Sequence, residues 1–152
     1  MTVRLPLLAA VAAAVSAHAA DAQTWRTITS ARQRQGEQNV RVEVRYAVGR
    51  FSLAPGSSGQ LYRMNLRYDE ETFSPVREYN ALTGLLRLGV RGREGSRAHW
   101  RDRRGDGPTP ALDLALAPDV PLALDIELGA AASDVQLGGL ALRSVHYRTG
   151  AS

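Results

Sequence analysis

The sequence predicts an all-β fold, a β-roll or solenoid-like stack of short strands behind a cleaved signal peptide, and three observations predict it. From residue 40 onward, apolar and polar residues alternate in repeated short runs, the period of a strand with one buried face. Gly and Pro interrupt these runs at short intervals, as turns between strands require. Beyond the first two dozen positions no segment places apolar residues at helical spacing.

The runs can be taken in order. Val40, Val42, Val44 and Tyr46 alternate with Arg41, Glu43 and Arg45; Gly49 interrupts, and Phe51 and Leu53 resume until the Pro55–Gly59 turn. Tyr62, Met64, Leu66 and Tyr68 share the apolar face of a second strand, followed by the acidic turn Asp69-Glu70-Glu71, which is expected to be solvated. Phe73, Val76 and Tyr79 mark a shorter extended segment, and Leu86, Leu88 and Val90 another strand. Residues 92–110 form a long charged loop broken by Gly and Pro. Leu112, Leu114 and Leu116 alternate again. Leu122, Leu124, Ile126 and Leu128 give the longest clean alternation, ended by Gly129. Val135 and Leu137, then Leu140 and Leu142, then Val145 and Tyr147 complete the series.

The N-terminus has a different grammar. Arg4 precedes an apolar run from Leu5 to Ala17, and the small-x-small sites Ala17-His18-Ala19 and Ala20-Asp21-Ala22 follow. That is the layout of a secretory signal peptide. The run is shorter than the about 20 residues a membrane-spanning helix needs. Cleavage is expected after Ala22, giving a signal peptide over 1–22, a flexible polar leader over 23–39 and one β domain over 40–152. The product is expected to be exported, to the periplasm or beyond the cell.

The chain has no Cys, which excludes disulfides, thiolate metal sites, cysteine nucleophiles and a lipid-modified N-terminal cysteine. All 19 basic residues are Arg, and the net charge is only +4 with acidic residues interspersed. Nucleic-acid binding needs basic groups concentrated on one face, so no nucleic-acid partner is expected. The one dense basic segment is Arg91–Arg104, RGREGSRAHWRDRR.

A repeat connects the later strands. Leu124-Asp-Ile126-Glu-Leu128-Gly129-Ala130 is echoed by Val145-His-Tyr147-Arg-Thr149-Gly150-Ala151, and the two Gly are 21 residues apart. Val44-Arg-Tyr46-Ala-Val48-Gly49 has the same form. Self-similarity of this length is the mark of stacked β rungs, with each Gly expected at positive φ in a tight corner. Thr149–Ser152 reads as the corner of a rung with no following strand, so self-association through an open edge strand is expected.

These residues also resemble a known family. Leu112-x-Leu114-x-Leu116, Val120-Pro121-Leu122, Leu124-x-Ile126-x-Leu128-Gly129-Ala130, Leu137-Gly138-Gly139-Leu140 and Thr149-Gly150-Ala151-Ser152 occur in the order seen in the toast-rack N-terminal domain of bacterial envelope proteins. That family is related to the extracytoplasmic region of cell-wall-active antibiotic-response proteins. The resemblance covers about Val40 to Ser152. It implies a β-roll or solenoid and an envelope setting, and it carries no catalytic residues across.

No catalytic or metal constellation stands out. His146 falls on the polar face of a strand, and His99 with Asp102 and Asp106 lacks the ligand number and spacing of a metal site. A G-x-S-x-G elbow is absent. A phosphate loop ending in Lys is impossible without Lys. The reading is therefore a non-enzymatic structural or binding module of the envelope, with no cofactor. Its expected partners are an envelope polymer, an anionic membrane surface or another protein chain. The expected contact surface is Arg97, Trp100, Arg101, Arg103 and Arg104, because Arg and aromatic residues dominate interface energetics. The alternative is an envelope-stress sensor whose Arg-rich segment binds anionic lipid or wall polymer through guanidinium–phosphate pairs.

Overall fold

The computed structural model describes residues 24–94 and 108–150. Eight strands account for most of them, and no helix occurs among the described residues. They are β1 (Trp25–Gln33), β2 (Val40–Pro55), β3 (Gln60–Asp69), β4 (Phe73–Asn80), β5 (Leu85–Gly92), β6 (Ala111–Leu116), β7 (Leu122–Val135) and β8 (Leu142–Thr149). The all-β expectation holds.

The sheet is organised around β2. One edge of this 16-residue strand is shared by two parallel neighbours. Arg41–Arg45 pair with Leu85–Gly89 of β5, and Arg50–Pro55 pair with Ala111–Leu116 of β6. The other edge runs parallel to β7, from Val40↔Leu122 to Leu53↔Val135. The sheet therefore branches at the bend near Gly49. One arm continues from β5 to β4, and the other from β6 through β3 to β1, all by antiparallel pairing. Beyond β7, β8 adds a further parallel strand.

Alternation decides which side chains meet. Val40, Val42, Val44 and Tyr46 are buried, and so are Leu86 and Leu88 beside them and Leu122, Leu124, Ile126 and Leu128 on β7. From the other arm come Phe51, Leu53, Met64, Leu66, Leu112, Leu114 and Leu116, and the two sets form one apolar cluster. The opposite faces carry charge. Glu43 accepts from Arg87 Nε at 3.1 Å, Arg45 pairs with Glu127, and Arg148 Nη2 reaches Asp125 at 3.3 Å. Such exposed pairs contribute about 0–1 kcal/mol each, so the apolar cluster holds the fold and the charges keep its outside wet.

Four sequence expectations need correction. The stretch expected as a flexible leader carries β1, which pairs with β3 from Trp25↔Asp69 to Gln33↔Gln60. An edge strand buries little, so Trp25, Ile28 and the β-branched Thr residues suffice for it, and no strong alternation is needed. Second, β7 does not stop at Gly129 but bends there and runs on to Val135.

Third, the repeat is half right. Leu124, Ile126 and Leu128 pair with Val145, Tyr147 and Thr149, the 21-residue offset read from sequence. The echo at Val44, however, is displaced by two residues, because Leu124 sits beside Val42 and Ile126 beside Val44. The corner glycines differ accordingly. Gly49 has φ +114°, as a tight corner requires, whereas Gly129 is not at positive φ. What Gly129 provides is closeness, since a Cβ there would collide with the carbonyl oxygen of Ala47. Fourth, Asp69 of the acidic turn is buried. Its carboxylate accepts the Glu71 amide at 3.1 Å and the Thr72 hydroxyl at 2.9 Å, fastening the β3–β4 turn.

One polar group in the core has no such fastening. Tyr46 is 3% exposed, stacks obliquely on Phe51 with ring centroids 6.4 Å apart, and its hydroxyl has no hydrogen-bond partner among the described residues. Burial, and secondarily the Asp113 carboxylate, push its phenol far above the usual tyrosine range. Below pH about 10 both folded and unfolded states keep this proton. Above it the unfolded chain ionises first, so folding stability falls as pH rises, by at most about 1.4 kcal/mol per pH unit for this group. Tyr46→Phe is expected to raise stability by about 1 kcal/mol, since a buried hydroxyl without a partner is a net cost. It should also flatten the alkaline fall. Urea unfolding at neutral pH and above pH 10 checks both.

Candidate functional site

The five residues expected as a contact surface, Arg97, Trp100, Arg101, Arg103 and Arg104, lie outside the described residues, as do His99, Asp102 and Asp106. His146 is where the alternation placed it, exposed on the outer face beside Asp125. Among the described residues no three His, Asp or Glu side chains are grouped to hold a metal ion. No helix among them is long and apolar enough to cross a membrane.

Three surface features remain as candidates. The first is the outer edge of β8. The apolar rows of the parallel stack run Val42–Leu124–Val145 and Val44–Ile126–Tyr147. The first two members of each row are at most 1% exposed, while Val145 is 37% and Tyr147 43% exposed. Among the described residues β8 pairs with β7 alone. The Gly150 amide donates to Leu128 at 2.7 Å, so by alternation the N–H and C=O groups of Ser144, His146 and Arg148 also face β7. Those of Val145, Tyr147 and Thr149 then point outward. The tyrosine is held in place, its hydroxyl 2.7 Å from Ser133 Oγ on β7.

The second feature is a hollow of about 490 Å³ at one end of the molecule, between the β1–β2 loop and the β4–β5 turn. The Arg32 guanidinium lies 4.4 Å from the centre of the Tyr79 ring. Arg32 Nη2 donates to Gln35 Oε1 at 2.9 Å, and Glu37 Oε2 accepts the Gln35 amide at 2.7 Å. Partial burial, then the nearby Glu37 carboxylate, raise the Tyr79 phenol above its ordinary range. These groups mostly satisfy one another, which makes the hollow a fastening between loop and hairpin. Beside it, Leu82 is 98% exposed on a turn where Asn80 Oδ1 accepts the amides of Leu82 and Thr83 at 3.0 and 3.2 Å.

The third feature is a smaller hollow, about 220 Å³, on the charged face around Gly89, rimmed by Arg45, Arg87 and Arg91. Sequence reading named Arg91 as the start of the basic segment but could not see the other two beside it. Only strand pairing, Arg45 opposite Gly89, brings them together. Val145 and Tyr147 were legible as strand residues. Their exposure was not, because alternation gives the face and not what covers it.

The comparisons with known proteins agree with this architecture. A crystal structure described as a "putative cell adhesion protein" from Clostridium sporogenes superposes with a TM-score of 0.66 at 12% identity over 83% of this chain. The overlap spans 57% of that protein's length, and at this identity the likeness is one of fold. No curated protein matches. Residues 19–152 match the family described as the N-terminal domain of toast_rack (DUF2154). With nearly all of its length matched and its strands in the order that the motifs predicted, the chain belongs to the toast-rack N-terminal domain family.

Proposed function

We propose that the chain is an exported, non-catalytic structural or binding module of the bacterial cell envelope, periplasmic or extracellular, that associates with a second copy of itself through the free edge of β8. The signal-peptide pattern of residues 1–22, the family and the adhesion-like structural neighbour support the envelope setting. The observation that carries the binding role is the β8 edge, where two apolar rows buried on β2 and β7 end half-exposed on a strand that, among the described residues, pairs on one side only.

The edge is self-complementary. With β8 of two copies antiparallel about a two-fold axis at His146, Val145 of each lies opposite Tyr147 of the other. Both residues have outward-facing backbone groups, so each such pair exchanges two N–H···O=C bonds. The aromatic–β-branched pair adds side-chain contact on the apolar face. β8 carries no Pro, and Val145, Tyr147 and Thr149 put no charge on that face, the devices that usually blunt an edge.

Equilibrium sedimentation of residues 23–152 tests this. A concentration-dependent dimer is expected, and Val145→Lys is expected to return it to monomer with the circular-dichroism spectrum unchanged. A wild-type chain that stays monomeric would refute self-association, and so would a dimer broken by Leu82→Lys but not by Val145→Lys.

A further inference from the structure

We infer that the hollow at Gly89 is a binding site for a phosphate-type oxyanion. The inference stands apart from β8 and from self-association, and it rests on strand geometry. Gly89 sits on β5 between Val76 of β4 and Arg45 of β2. The strands approach so closely there that a Cβ at Gly89, whose φ is +131°, would collide with the Arg45 carbonyl oxygen. No side chain can therefore rise from the centre of the hollow. Alternation along β5 raises Arg87 on one side of the gap and Arg91 on the other, and Arg45 closes a third side.

Charge favours an anion. Three guanidinium groups and one carboxylate, Glu43, line the hollow. Glu43 is engaged with Arg87 at 3.1 Å and lies 3.6 Å from Arg41 Nε, and Arg87 Nη1 is also 3.9 Å from Glu78. Arg45 pairs with Glu127. Arg91 is exposed and makes no ion pair or side-chain hydrogen bond among the described residues, so its donors are unspent. A compact tetrahedral anion suits guanidinium groups at its rim, because each can present two N–H groups to two oxygens, and among the described residues Arg91 is the one of the three not already paired. The half-buried Val76 beside Gly89 lowers the local dielectric and strengthens those contacts.

The oxyanion can be a free phosphate or the phosphate of a lipid headgroup, and one experiment separates the sources. Backbone amide shifts of the full mature chain are followed by NMR while inorganic phosphate is titrated at constant ionic strength. In parallel, the chain is sedimented with phosphatidylcholine vesicles containing or lacking phosphatidylglycerol. Saturable shifts centred on Arg45, Arg87, Gly89 and Arg91 are expected, with affinity about ten-fold weaker in Arg91→Gln. Arg63→Gln, which removes an exposed charge on β3, is expected to change nothing. Binding confined to phosphatidylglycerol vesicles and lost in Arg91→Gln would support the site and assign it to lipid headgroups. Absence of saturation together with absence of vesicle binding overturns the proposal. Equal loss in Arg91→Gln and Arg63→Gln also overturns it, since net charge alone would then explain the affinity.

Discussion

Gly49→Ala is expected to lose about 3–5 kcal/mol of folding stability, enough to unfold much of the population in a domain of ordinary stability. Two costs combine. The position has φ +114°, where any Cβ is strained. A Cβ would also collide with the carbonyl oxygen of Pro110 and sit 2.9 Å from its carbonyl carbon. That carbonyl is not free to move, because it accepts the Arg50 amide at 2.9 Å as the first link between β2 and β6. Relieving the collision would break the link at the point where the sheet branches. Urea denaturation should show a lowered midpoint with an unchanged slope. A loss under 1 kcal/mol would mean that the bend tolerates a side chain and that the account of the branch is wrong.

The second large effect is expected at Phe51. Phe51→Ala should cost about 3–5 kcal/mol, as a fully buried ring is removed and the space is only partly refilled. Phe51 lies one residue past the Arg50–Pro110 link, beside Leu112 of β6 on one edge and in register with Ser133 of β7 on the other. It also touches the Tyr46 ring from the far side of the bend. Its loss therefore loosens both arms at once. Phe51→Leu, which keeps most of the apolar volume, should cost distinctly less in the same assay. Equal losses for the two variants would show that ring shape rather than buried volume matters there.

The parts of this fold that were legible in the sequence are those that period two can encode. From β2 to β8 most alternating runs became strands, because a buried face forces every second residue to be apolar, whereas Val135–Leu137 and Leu140–Leu142 fall largely in the connection between β7 and β8. β1 was missed for the converse reason. An edge strand with polar residues such as Arg26, Thr29 and Arg32 has no such pattern, and its pairing with β3 is set by backbone bonds that side-chain identity does not announce. Register was legible where two strands share a motif, as in β7 and β8, and misread by two residues at Val44, where the likeness was only of form. The role of Gly129 escaped for a similar reason. Sequence marks a Gly, but whether it supplies an unusual φ or room for a neighbouring backbone depends on the strand beside it. The Gly89 hollow was the least legible feature, since it is assembled from β2, β4 and β5 and no linear segment contains it.

The central place of β2 also governs how the chain must assemble. β2 is early in the sequence, yet all its partners come later: β5 first, then β6, and last β7, whose end at Val135 pairs with Leu53. Nearly all of its ladder closes loops of tens of residues, so ring-closure entropy must be overcome before the contacts that reward it exist, and folding is expected to be slow for a domain of this size. During synthesis from the N-terminus, Val40–Leu53 emerges with both edges bare; β5 and β6 then cover one, and the other waits for β7. The yield of a chain built this way on refolding should fall steeply with protein concentration.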